Sequence, residues 1–374
     1  MMVHSPRMIA GLAMLSLGFF DGILGVAWLS IHDDLGVSLE SLGWVLGAVG
    51  VGSAFGSAMF PTVVRSLSHL NVLALSSGVQ AIVCILVILT NQYWLLAILY
   101  AARGFFNGLA HASLNAYFAQ RISPQHLMNI HGGWGVGTAL AGFLCGVLIT
   151  TDWGWQPVYL IGGTLSFSAM GVIFWTRHHF GHLDVMPSES LSGAFRISVP
   201  VFFAIASGAL YVGLEQGVGN WISSLLVSID GAQIHQAGLA TGFFWTGLTV
   251  GRLTLTRIPV ASNQMLKWAS GSIVVVLLLL LWIPSEFKIV MYAGLGITMA
   301  PMSAFILVAG ARLVPSARRD LMMALQVLAF SVGAAVIPAT LGGIASVASM
   351  TILPWVFLAI ATLLIVSIWI TVRD

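Results

Sequence analysis

Residues 242–251 read GFFWTGLTVG, and residues 47–56 read GAVGVGSAFG. Both place glycine at their first, sixth and tenth positions, and the former follows the latter at an offset of 195 residues. Small residues at helical spacing let membrane helices approach closely, so one such match carries little weight alone. Two more matches share the offset. Asp21 falls within a residue of Glu215, and HLMNIHGGWGVGTALAG (126–142) falls on DLMMALQVLAFSVGAAV (320–336), which pairs His131 roughly with Gln326. The chain reads as two copies of one unit.

The unit is a membrane unit. Of 374 residues, 58% are hydrophobic and only 7% charged, with a mean hydropathy of +0.98, whereas soluble domains carry about a quarter charged residues. A formal net charge of +2 gives no footprint for nucleic acid. No GxxxxGK[ST] loop, HExxH or Cys/His cluster occurs, so neither a built-in ATPase of that type nor a metal site nor another cofactor is expected. Cys84 and Cys145 sit within apolar runs, and Asn-x-Ser/Thr is absent, so disulfides and glycans are not implied. The first apolar run continues through Asp21 to about Ser30 without a small-residue cleavage site, and reads as a span.

About 20 apolar residues cross a bilayer. Twelve segments qualify, near 8–30, 41–63, 70–90, 93–118, 127–150, 155–176, 199–226, 236–256, 264–283, 287–311, 320–344 and 349–371. The predicted fold is an all-α membrane protein of two pseudo-symmetric six-helix bundles, 1–176 and 199–374, joined by a cytoplasmic linker at 177–198. Cations test the layout, because short cytoplasmic loops collect Lys and Arg. Twelve of the fourteen, Arg252 among them, fall on or near one side; Lys288 falls on the other and Arg103 lies mid-span. Both termini are therefore expected in the cytoplasm, with the protein in a bacterial inner membrane and monomeric.

Ionisable groups at membrane depth are expensive and usually functional. In LYVGLEQGVGNWI (210–222), Tyr211 and Glu215 share a helix face with Asn220 and Trp221 to its side. Asp21 occupies the matching depth of the first span. The two acids could divide the work, one binding solute hydroxyls and the other exchanging an ion. Arg103, Asn107, His111 and Asn115 recur every four residues and form one polar stripe. Arg103 stays charged and requires a carboxylate, for which Asp21 and Glu215 are the candidates. His111 suits proton coupling. The structural alternatives are that Asp21 only anchors Arg103, that Glu215 hydrogen-bonds a neighbouring helix and that the histidine is packed. Trp28, Trp134, Trp221 and Trp245 could stack on sugar faces or anchor at the interface. His131 and Gln326 lie nearer helix ends, where polarity costs less.

Over nearly its whole length the chain resembles the major facilitator superfamily. The resemblance rests on LYAARGFFNGL in the fourth span, GWGVGTALAG in the fifth, DWGWQPVYLIGG entering the sixth and GFFWTGLTVGR ending at Arg252. The loop FPTVVRSLSHL keeps Arg65 but lacks that family's acidic residue, and Ala141 stands where its drug-proton antiporters usually carry proline. FFDGILGVAW, with its embedded aspartate, and LAHASLNAYF, through Asn115, are most similar to the fucose permease and sodium-glucose transporter branch. His111 stands where the fucose permeases have glutamate. The resemblance implies a secondary active transporter of a small polar solute, a sugar or related polyol, coupled to a proton in preference to sodium. Asp21, Trp28, Asn107, His111, Asn115, Tyr211, Glu215, Asn220, Trp221 and Gln326 are the expected solute-site residues, and Asp21, Glu215, Arg103 and His111 the coupling residues. Proton-driven export of drugs or amphipathic metabolites is the second reading, and a non-transporting receptor or scaffold the third.

Overall fold

A computed structural model describes residues 6–119, 124–177, 197–255 and 258–373. The helices are α1 (Pro6–Asp34), α2 (Leu42–Ser66), α3 (His69–Leu89), α4 (Tyr93–Ala119), α5 (Pro124–Leu148), α6 (Gln156–Thr176), α7 (Val199–Asp230), α8 (Ile234–Thr254), α9 (Ser262–Trp282), α10 (Ser285–Met299), α11 (Met302–Arg312), α12 (Arg319–Ala348) and α13 (Leu353–Thr371). They map onto the twelve expected spans, except that Pro301 splits the tenth into α10 and α11. Proline offers no backbone N–H to continue the ladder. The expected linker lies, apart from Arg177 and residues 197–198, outside the described residues.

Among the described residues, ten helical stretches are long and apolar enough to cross a membrane. The two that fall short are α4 and α8. Their lengths suffice; their polarity lowers them, since α4 carries the stripe from Arg103 to Asn115 and α8 carries His235, Gln236 and Arg252. Such helices are accommodated by turning their polar faces inward.

Packing repeats with the sequence. In the first half α1 lies on α5, α2 on α4 and α3 on α6; in the second, α7 lies on α12, α8 on α10 and α9 on α13. The glycine rows explain part of this. A Cβ on Gly52 or Gly56 would meet the Ala101 or Phe105 carbonyl of α4, and one on Gly247 or Gly251 would meet the Ala293 carbonyl or Ala300 Cβ beside α10. Gly36 and Gly231, again 195 residues apart, both end the first helix of their half at φ 64°, which favours glycine.

The halves meet through α5 with α8, α2 with α12 and α1 with α7. Away from the chain termini this contact is backbone to backbone: a Cβ on Gly43 would lie 2.8 Å from Gly342 Cα, and one on Gly25 2.7 Å from the Asn220 carbonyl. Asn115 and Arg252 lie toward the opposite, termini-bearing end.

Candidate functional site

Two ion pairs are built on mid-helix acids, one per half. In the first, Arg103 Nη1 of α4 donates to Asp21 Oδ1 of α1. The same guanidinium donates to Gln80 Oε1 at 3.2 and 3.3 Å and to the Leu17 carbonyl at 3.1 Å, and lies 4.5 Å from the centroid of Phe20. Gln80 is held by donating to Ser16 O and Ser166 Oγ, each at 2.8 Å. Asp21 Oδ2 accepts the Trp134 indole N–H of α5 at 2.8 Å. Of the sequence alternatives, Arg103 thus takes Asp21, not Glu215.

In the second half, Glu215 Oε2 accepts from Tyr211 Oη one helical turn away and from Arg252 Nη2 of α8 at 2.7 Å. The sequence places Arg252 at the end of the eighth span, on the side of the loop cations, and gives it no carboxylate partner; it lies in the last turn of α8, on the helix that faces α5, and reaches Glu215. A cation near a helix end can reach an interior acid while its sequence position still mimics a loop anchor.

Exposure is reversed between the pairs. The Asp21 side chain is 22% exposed and Arg103 2%, whereas Glu215 is 4% exposed and Arg252 27%. The first half therefore presents a carboxylate, and the second a guanidinium.

Two tryptophans close the gap between halves. Trp134 and Trp245 of α8 meet edge to face, with centroids 5.1 Å apart at 89°, a favourable arrangement for their ring quadrupoles. On the α4 stripe, His111 stacks on His131 of α5 at 6.2 Å and 15°, and Asn115 Oδ1 lies 2.9 Å from His131 Nε2. Among the described residues Asn107 Oδ1 is buried without a hydrogen-bond donor; leaving such an acceptor unmet costs about 1–3 kcal/mol.

The other expected residues are engaged by neighbouring backbone. Trp28 is fully buried and donates to Leu39 O at 2.7 Å; Trp221, equally buried, donates to Pro338 O at 3.2 Å. Asn220 donates to Gln216 O within α7 at 2.8 Å. Gln326 is fully buried and donates to Ile306 O at 2.8 Å, packing α12 on α11. Sequence reasoning missed Gln80, a lone amide within the apolar span SSGVQAIV, and gave His131 no part in the stripe that it joins.

Residues 10–309 match the family described as Major Facilitator Superfamily. A gallate transporter of Pseudomonas putida is 23% identical over 329 residues, covering 76% of this chain and 72% of its own length. A glucose/mannose transporter, GlcP, of Bacillus subtilis strain 168 is 19% identical over 216 residues, 54% of this chain and 52% of its own. Among solved structures, the nucleoside transporter NupG superposes with a TM-score of 0.76 at 14% identity over 100% of both chains. A bacterial homolog of the human lysosomal transporter Spinster superposes at 0.68 and 13% identity, covering 97% of this chain and 95% of that one.

Proposed function

The chain belongs to the Major Facilitator Superfamily and is a transporter of that type, and on that premise we propose that it carries a small polyhydroxylated solute, a sugar or polyol, by proton-coupled alternating access. The observation that carries this reading is the reversed exposure of the two ion pairs. Asp21 is oriented by Arg103 and Trp134 yet retains exposed surface, so it can accept hydrogen bonds from solute hydroxyls or take a proton. Arg252 complements it with partly exposed guanidinium surface, which can donate to solute oxygens. Asn107 Oδ1 offers a further acceptor, and the Trp134–Trp245 pair an aromatic face for sugar C–H groups. The named cargoes of the relatives, gallate, glucose or mannose and nucleosides, share clustered hydroxyls. A fucose-permease kinship is not needed for this reading.

Protonating Asp21 discharges it and leaves Arg103 held by Gln80 and Leu17 O, which changes the ground on which Trp134 rests. Binding and reorientation are linked in that way. A thermal-shift screen of the purified protein against sugars, polyols, nucleosides, hydroxylated aromatic acids and cationic dyes tests the cargo, since a ligand at 100 times its Kd adds about 2.7 kcal/mol to the state that it binds. Stabilisation by sugars or polyols is expected; a response confined to cationic dyes would sink the proposal in favour of export. In proteoliposomes holding folded, monodisperse protein, Asp21→Asn should lose uphill accumulation yet keep solute exchange, which a merely damaged protein would lose as well. Retained accumulation would remove Asp21 from coupling.

A hydroxylated aromatic acid is the second reading, favoured by the partly exposed guanidinium of Arg252, which can hold a carboxylate, on the same helix as Trp245. For the setting, we propose a bacterial inner membrane with both termini cytoplasmic, as the cation sorting implies. An impermeant thiol reagent added to whole cells should label a cysteine at Asp152 and not one at Ser188; the reverse pattern would invert the topology.

A further inference from the structure

A cavity that this reading does not use lies within the second half, between α7, α9, α10 and α13, at the end opposite the termini. Its volume is about 230 Å³. Val218, Leu225, Leu277, Leu280 and Phe357 make its walls apolar, and Asp230 and Lys288 line it together with Trp282 and Trp355. Lys288 Nζ donates to both Asp230 oxygens, at 2.7 and 2.9 Å, and the side chains are only 12% and 19% exposed. The tryptophans are 80% and 51% exposed, as expected of rings at headgroup level.

The internal repeat supplies a reference for this place. Asp34 stands 196 residues before Asp230, and Tyr93 stands 195 before Lys288. In the first half the indole N–H of buried Trp155 donates to Asp34 Oδ2 at 2.7 Å, and the buried hydroxyls of Tyr100 and Tyr159 hydrogen-bond each other within the same bundle. The first half ties an exposed aspartate to a buried indole. The second sets its aspartate against a cation, with a cavity beside them.

The pair restricts what can enter. A lone anion drawing Lys288 away would strand a half-buried carboxylate, and a lone cation drawing Asp230 away would strand an ammonium; either loss is costly at low dielectric. A ligand bearing both a phosphate and a primary ammonium meets the two groups together. The apolar walls call for a hydrocarbon tail, and 230 Å³ lies below the roughly 300–1,000 Å³ of sites that enclose a whole drug-sized ligand. We propose that this cavity takes the end of one acyl chain of an ethanolamine phospholipid from the adjoining leaflet, with its phosphate on Lys288 and its ammonium on Asp230.

The test uses the full-length protein in detergent, titrated with short-chain phosphatidylethanolamine, phosphatidylcholine and phosphatidylglycerol and with phosphoethanolamine alone, and read by native mass spectrometry and thermal shift. One saturable phosphatidylethanolamine is expected, about tenfold tighter than the other two lipids, with no response to the headgroup alone. Leu280→Trp should fill the cavity and abolish this binding. The double variant Asp230→Asn/Lys288→Gln should bind all three lipids equally, which keeps the test decisive if Leu280→Trp does not fold. The exchanged pair Asp230→Lys/Lys288→Asp should retain the ethanolamine preference. Equal binding of the three lipids by the unmodified protein, or an unchanged preference in a folded Leu280→Trp or in the double variant, would overturn the proposal. Saturable binding of phosphoethanolamine alone would transfer the site to a soluble phosphate ligand and overturn the lipid assignment.

Discussion

Asp21→Asn is expected to destabilise the protein by about 3–5 kcal/mol, because it leaves Arg103, 2% exposed, as a buried cation without its carboxylate. Glu215→Gln should cost less, about 1.5–3 kcal/mol, the scale of a hydrogen bond to a charged group. The acid is the more buried of the two, yet the cation that it leaves behind, Arg252, is 27% exposed and can reach water. Denaturation of both variants in one detergent gives the order directly. Adding Arg103→Gln to Asp21→Asn should recover part of the loss by removing the stranded charge. If Glu215→Gln proves the more damaging variant, the reversed exposure of the pairs does not govern their energetics.

The second large effect belongs to the glycine rows. Gly52→Val and Gly247→Val should each fail to accumulate as monodisperse protein, since the new Cβ would meet the backbone of α4 or α10. Overpacking usually costs about 1–3 kcal/mol where side chains can yield, and a helix backbone yields less. Gly271→Val serves as the control, for a Cβ there meets nothing within 4 Å. Size-exclusion profiles of fluorescent fusions would show the difference. If Gly52→Val harms and Gly247→Val does not, the two rows do not share one structural role.

The span count and the twofold repeat were legible because the bilayer imposes a length on every helix and because the glycine rows fix which helices touch. The tenth span's break at Pro301 was legible in principle, as proline within a helix interrupts its ladder. Helix rotation was not legible. Trp28, Trp221 and Gln326 look in sequence like Trp134 or Asn107, but their N–H groups are committed to the carbonyls of Leu39, Pro338 and Ile306. The pairing of Arg252 with Glu215 was missed because counting cations by side ignores how far a long side chain reaches inward. His131 was discounted because a polar group near a helix end is cheap, which says nothing about the ring that stacks on it.

Each ion pair at the core, Arg103 with Asp21 and Arg252 with Glu215, is made within one half. Reorienting the halves therefore does not require these opposite charges to be pulled apart. What has to separate is the Trp134–Trp245 contact and the close backbone seams at Gly43 and Gly25. The kinetic barrier to switching access should then have an apolar character: a turnover rate nearly indifferent to salt, with a curved temperature dependence from the heat capacity of wetting and drying those surfaces.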